Sequence, residues 1–221
     1  MDEPDITLTS LSLTHVQFDR NDKLAYALAY ITLAPLAILV FYASVIVSRR
    51  ELAVIFALAG QLLNEGLNAI LKETLQIARP SAHLGTGYGM PSSHAQFIWY
   101  FAVYGSTYLW FHIRLDHSAW KTLLTVAMTI LATLVCYSRI YLGYHSEAQV
   151  AVGSVIGCTF AVIWYTITEK IFRQSGFIDY VLKHPLAEWI YLRDMRSIDN
   201  VAKWEYHQWR RHLQTKNVKS T

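Results

Sequence analysis

The 221-residue chain is 53% hydrophobic and only 16% charged, with a formal net charge of +3. An average soluble domain carries about 25% charged residues, and here the apolar residues fall in long blocks, which excludes an ordinary water-soluble enzyme. Cys136 and Cys158 lie inside those blocks with no CxxC or Cys/His spacing, so neither a disulfide framework nor a zinc site is expected. No interleaved basic and aromatic surface points to nucleic acid.

The chain opens on the acidic stretch Met1 to Asp5, with no basic segment leading into an apolar core, so no signal peptide is expected. A spanning helix needs about 20 mostly apolar residues. Five blocks approach this in order: residues 25–47, 52–71, 96–112, 120–137 and 151–168. The second carries Asn64, Glu65 and Asn68, with Asn64 and Asn68 on one face, as interhelical hydrogen bonding would place them. The third is rich in aromatic residues. The fifth contains small residues suited to close helix packing. The expected fold is an all-α membrane bundle of about five transmembrane helices, with four or six also fitting the pattern.

With five spans, residues 1–24 and the loops 72–95 and 138–150 share one side of the bilayer. Their basic residues are Arg20, Lys23, Lys72, Arg79 and Arg139. The opposite side receives Arg49, Arg50, Arg114 and most of the remaining Lys and Arg. Basic residues mark the cytoplasmic side, so the tail is expected to be cytoplasmic and the two long loops to face away from it. The chain divides into an N-terminal segment 1–24, a membrane domain 25–168 and a tail 169–221. Within the tail, residues 177–192 are too polar to span and read as an interfacial amphipathic helix.

Three clusters carry chemistry: Lys72 to Arg79-Pro80, Pro91-Ser92-Ser93-His94, and Ser138-Arg139 to His145. All fall at span ends on the same expected side. Lys72, Arg79 and Arg139 supply a positive field for a phosphate, and the Arg fork can grip two oxygens. Ser92, Ser93 and Ser138 add donors, as does a helix N-terminus opened near Ser92. Two histidines suit phosphoryl transfer, one attacking phosphorus and one protonating the leaving oxygen. No carboxylate cluster is present in the sequence around them, so a metal-independent site without a cofactor is expected. His15, His83, His112 and His117 read as surface or interfacial, with His83 near the site.

Taken together, the clusters resemble the three-part signature of the type 2 phosphatidic acid phosphatase superfamily: K-x6-R-P, P-S-G-H and S-R-x5-H. Lys72/Arg79/Pro80 and Ser138/Arg139/His145 match in full, and Pro91-Ser92-Ser93-His94 matches with Ser93 in place of Gly. Leu13-Thr14-His15, the stretches 63–68 and 88–97, and Leu192-Arg193-Asp194 are similar to the dolichyl diphosphatases of that superfamily. The resemblance implies hydrolysis of a polyisoprenyl diphosphate at the lumenal face of the endoplasmic reticulum membrane, by a protein embedded in the bilayer. It implies His145 as nucleophile forming a phosphohistidine and His94 as general acid and then base. Arg139, Lys72 and Arg79 would hold phosphoryl oxygens, and Ser92, Ser93 and Ser138 would hydrogen-bond the same group. The superfamily carries an Asp four residues after the nucleophilic His, where this chain has Gln149. Its carbonyl oxygen is the candidate to orient His145, with Glu147 the other candidate. The signature reads only phosphate, so phosphatidate or another lipid phosphate is the alternative substrate. A non-catalytic scaffold would not need both histidines, and a transporter would be expected to show an internal repeat. The oligomeric state is not legible.

Overall fold

The computed structural model describes residues 8–11, 16–81, 84, 87–115 and 117–219. His15 and His83 lie outside them. The first long run is broken into α1 (Lys23–Ile31) and α2 (Ala34–Arg49). Asp22 caps α1, its carboxylate accepting from the Leu24 and Ala25 amides. The break falls just before Pro35, which has no N–H and crowds the carbonyl four residues back. Arg50, at φ 51°, turns the chain into α3 (Leu52–Leu75). Then follow α4 (Ser93–His112), α5 (Ser118–Tyr141) and α6 (Glu147–Thr166), which runs on as a π-helical segment, Ile167–Phe172.

Among the described residues, four runs are long and apolar enough to cross a membrane: Lys23–Arg49, Leu52–Leu75, Ser118–Tyr141 and Glu147–Phe172. The fifth expected span, α4, is less apolar because it is the central helix. It packs against α6, α5 and α3, with Ala95, Gln96, Ile98, Tyr100 and Ala102 buried. Only its far end turns outward, at Trp110 and Phe111. The bundle surface carries exposed Leu62, Ile70, Val126, Ile130, Val155 and Val162. That is the expected outside of a chain whose solvent is lipid.

The interior is held by polar contacts and close backbone approach, because lipid provides little hydrophobic drive between helices. Asn64 and Asn68 of α3 bond across to α4. Gln96 Nε2 donates to the Asn64 carbonyl and Oδ1, at 2.8 and 2.9 Å, and Asn68 Nδ2 donates to Gln96 Oε1 at 2.8 Å. On α6, Gly153 and Gly157 face α4 so closely that a Cβ would lie 2.6 Å from the Ser92 carbonyl oxygen and 2.3 Å from that of Gln96.

Helices α3, α4 and α5 each extend about one turn beyond the apolar blocks, all toward the same end. Backbone groups go on pairing after the first charged side chain appears, so each helix outlasts its apolar block. Lys72, His94 and Arg139 therefore stand on helix turns and not in loops.

Two features depart from expectation. An antiparallel hairpin, β1 (Leu8–Leu11) and β2 (Val16–Asp19), precedes α1. Val16 and Phe18 pack with Ala25, Leu28, Leu84, Leu142 and Tyr144. The single interfacial helix expected over 177–192 is split into α7 (Phe177–Leu182) and α8 (Pro185–Trp189), because Pro185 starts a new helix capped by His184. After α8 the chain crosses the end of the bundle opposite Lys72 and His145 before α9 (Val201–Lys219). There the Arg193 amide donates to Arg50 O, its carbonyl accepts from Leu52 N, and Arg173 pairs with Asp194 at 2.7 Å. His112 is half-buried at that same end, 2.7 Å from the Tyr165 hydroxyl and 3.5 Å from Glu169.

Candidate active site

The span from Arg139 to His145 is a folded return. After α5 the chain passes Gly143 at φ 73°, a left-handed conformation that suits glycine. The amides of Tyr144 and His145 then both donate to the Arg139 carbonyl at 3.1 Å. This ties the histidine to the last turn of the helix that carries the arginine. Ser146 next caps α6 in a reciprocal box with Gln149, leaving His145 buried just outside the helix.

Gln149 connects all three clusters. Its Nε2 donates to Ala78 O at 2.8 Å, beside Arg79. Its backbone carbonyl accepts from Ser92 N at 3.1 Å. Its Oε1 lies 3.1 Å from His145 Nδ1 and also accepts from the Ser146 amide at 3.3 Å. Because the amide nitrogen is committed to a carbonyl, the oxygen faces His145, and Nδ1 must carry the proton. The lone pair is then on Nε2. Gly89 lies against the same amide, where a Cβ would come within 2.7 Å of Nε2.

The cations converge around this imidazole. Burial first, then the charges of Arg139 and Arg79, pull the His145 pKa down to about 3, against the opposing Gln149 hydrogen bond. His145 is therefore neutral across the physiological range. His94 is within electrostatic reach of Arg139, His145, Lys72 and Arg79. It lines, with Ser93, Glu65, Gln61, Leu62, Pro35, Leu39 and Phe97, a cavity of about 280 Å³ between α2, α3 and α4. Lys72 Nζ donates to Ser93 Oγ at 3.4 Å. Among the described residues, the buried polar atoms without a hydrogen-bond partner include Arg79 Nε, Ser92 Oγ and Arg139 Nε, one from each cluster. Buried donors in such a state fit an acceptor-rich guest such as a phosphoryl group.

The structure thus brings Lys72, Arg79, Ser92, Ser93, His94, Arg139, His145 and Gln149 to one end of the bundle. Ser138 is the exception. Its hydroxyl donates to Val135 O at 2.7 Å and lies 2.8 Å from Thr32 Oγ1, so it is spent on packing α5 against the first span. The sequence reading missed Tyr144, whose ring lies 4.0 Å from the Arg139 guanidinium carbon. The only sequence signal for it was an aromatic residue beside His145.

Residues 51–173 match the family model described as the PAP2 superfamily. Dolichyldiphosphatase 1 of Rhinolophus ferrumequinum is 36% identical over 206 residues, covering 89% of this chain and 86% of that protein. Dolichyldiphosphatase 1 of Dictyostelium discoideum is 36% identical over 203 residues, covering 90% and 88%. Among solved structures, a transmembrane PAP2-type phosphatidylglycerolphosphate phosphatase from Bacillus subtilis superposes with a TM-score of 0.59 at 23% identity, over 69% of this chain and 80% of that one. That likeness establishes the fold. The chain belongs to the PAP2 superfamily and, by identity along nine-tenths of its length, stands with the dolichyldiphosphatases within it.

Proposed function

We propose that this chain removes the terminal phosphate of dolichyl diphosphate, releasing dolichyl phosphate and inorganic phosphate, and so recycles the carrier lipid of protein N-glycosylation. The observation that carries the reading is the neutral, buried His145, held through Nδ1 by Gln149 with Nε2 free in the field of Lys72, Arg79 and Arg139. The names of the relatives add the substrate.

In the first step His145 Nε2 attacks the terminal phosphorus and the bond to the bridging oxygen breaks. His94 gives its proton to the leaving dolichyl phosphate oxygen. Lys72, Arg79 and Arg139 stabilise the charge on the transferring group, with Ser92 and Ser93 as further donors. In the second step His94 takes a proton from water, whose oxygen attacks phosphorus as the P–N bond breaks. His145 is regenerated and phosphate leaves. The site end is assigned to the lumen of the endoplasmic reticulum and the tail 169–221 to the cytoplasm. Arg49, Arg50, Arg114 and the basic residues of α9 gather at the end opposite the site, which supports this orientation.

The test is phosphate release by purified protein in detergent with EDTA, comparing dolichyl diphosphate, dolichyl phosphate and phosphatidate. The reading requires fastest release from the diphosphate and none from His145→Ala. It also requires a radiolabelled terminal phosphate to be trapped on the wild-type protein and absent from that variant. Faster release from phosphatidate would keep the chemistry and overturn the substrate.

A further inference from the structure

The N-terminal hairpin lies outside the residues that match the family model, yet it reaches the cation cluster. The Gln17 amide donates to the Tyr144 hydroxyl at 2.8 Å. Tyr144 is 8% exposed, and its ring packs among Val16, Phe18, Leu84 and Leu142. The other face of its contacts is Arg139, whose guanidinium carbon is 4.0 Å from the ring centroid. No side-chain hydrogen bond or ion pair from Arg139 to another described residue is made, and its Nε is buried without a partner. The tyrosine face is then what sets the plane of the guanidinium, and a planar fork grips phosphoryl oxygens only when its plane is set. Leu84, four residues after Pro80, packs in the same cluster, and Arg79 lies within electrostatic reach of Tyr144.

We propose that the β1–β2 hairpin is a working part of the active site: it fixes Tyr144, and Tyr144 is the positioning residue that aims Arg139 at the transferring phosphoryl group. The inference rests on the phosphatase reading above. It explains why a short two-stranded hairpin, marginal by itself, is packed against the end of a membrane bundle. Gln17 pairs with Ser10 in register, but its N–H is spent on Tyr144. The hairpin therefore presents one backbone donor to the site without losing a rung of its own ladder.

The experiment compares Tyr144→Phe, Tyr144→Leu, Gln17→Pro and the double variant Gln17→Pro/Tyr144→Phe. It measures kcat and KM on dolichyl diphosphate, and inhibition by orthovanadate, a mimic of the phosphoryl transition state. Tyr144→Leu removes the platform and should lower kcat/KM about 10- to 30-fold, the scale of a desolvated cation–π contact. Vanadate inhibition should weaken in parallel. Tyr144→Phe keeps the ring but loses the tie to Gln17, so it should fall between wild type and Tyr144→Leu. Gln17→Pro removes the donor, and the double variant should be no worse than Gln17→Pro alone, because both changes break one link. Wild-type kinetics and vanadate inhibition in Tyr144→Leu would overturn the proposal, and so would losses that multiply in the double variant. If Tyr144→Leu does not fold, the comparison of Gln17→Pro with the double variant decides alone. Phosphate release that persists in His145→Ala would instead overturn the phosphatase mechanism, whatever the Tyr144 variants do.

Discussion

Gln149 offers the sharpest test of the site, because its side chain ties the His145 return to the Arg79 segment. Replacing it with Leu keeps most of the volume and removes three hydrogen bonds: to Ala78 O, from Ser146 N and with His145 Nδ1. In the proposed mechanism the His145 bond becomes charge-assisted as the ring gains positive character in the transition state. A bond of that kind contributes about 1.5–3 kcal/mol. Its loss should lower kcat about 10- to 100-fold. Gln149→Glu separates the two jobs of the amide. A carboxylate can still accept from Nδ1–H, so activity should stay within about tenfold of wild type. It cannot donate to Ala78 O, so two acceptors would face each other at 2.8 Å. That should cost about 1–3 kcal/mol of stability. Single-turnover phosphate release and thermal unfolding in detergent read the two effects apart. A Gln149→Leu protein with wild-type kcat would refute the orienting role. Equal loss of kcat in Gln149→Leu and Gln149→Glu would place the importance of Gln149 in the Ala78 tie and not in the imidazole.

Two further outcomes follow from the same geometry. Gly157→Val puts a branched side chain where even a Cβ would lie 2.3 Å from the Gln96 carbonyl. Backbone cannot yield as a side chain can, so the α4–α6 contact should open and stability should fall by about 1–3 kcal/mol or more, read as a lower unfolding temperature in detergent. His145 gives a pH dependence with a definite sign. Unfolded, its pKa is 6.5, and folded it is about 3. Between those values the unfolded chain binds the extra proton, so stability falls as pH falls, by up to about 1.4 kcal/mol per pH unit from this group. His145→Asn should flatten the curve of unfolding temperature against pH between 6 and 4 relative to wild type, and an unchanged slope would count against the depressed pKa.

Fold and site were legible in the sequence to different depths. The spans were visible as apolar blocks because a bilayer selects composition over about 20 residues. The bonding of Asn64 and Asn68 was visible because a polar face within such a block has few other uses. The block ends were misread by one turn at Lys72, His94 and Arg139, because hydropathy stops at the first charge while backbone pairing continues. Gln149 could be placed because it fills the position, four residues after the nucleophilic His, where the superfamily carries an Asp. Its bond to Ala78 could not, since it joins positions 71 residues apart. Ser138 was misplaced because spacing locates a residue along a helix without revealing which neighbour its hydroxyl meets. The hairpin carried too few residues to register as strands. The split between α7 and α8 was foreshadowed by Pro185, which was given too little weight.

The gathering of cations has one consequence that can be measured without turnover. Lys72, Arg79 and Arg139 converge on a buried imidazole, and Arg79 Nε, Ser92 Oγ and Arg139 Nε are buried without partners. Like charges brought together out of water repel, and unpaired buried donors each cost about 1–3 kcal/mol. A phosphate anion relieves both terms at once, and only in the folded state, since the unfolded chain has no such cluster. Orthophosphate at about 100 times its dissociation constant should add about 2.7 kcal/mol of stability. For a chain of this length that corresponds to an unfolding temperature raised by about 5–10 °C. The shift should persist in His145→Ala, which keeps every cation, and should shrink in Arg139→Ala and Arg79→Ala. Sulfate should act in the same direction and chloride at equal ionic strength should not, which separates a built oxyanion site from general screening of charge. A shift of equal size in Arg139→Ala, or none in the wild type, would mean that these residues do not form a phosphate site.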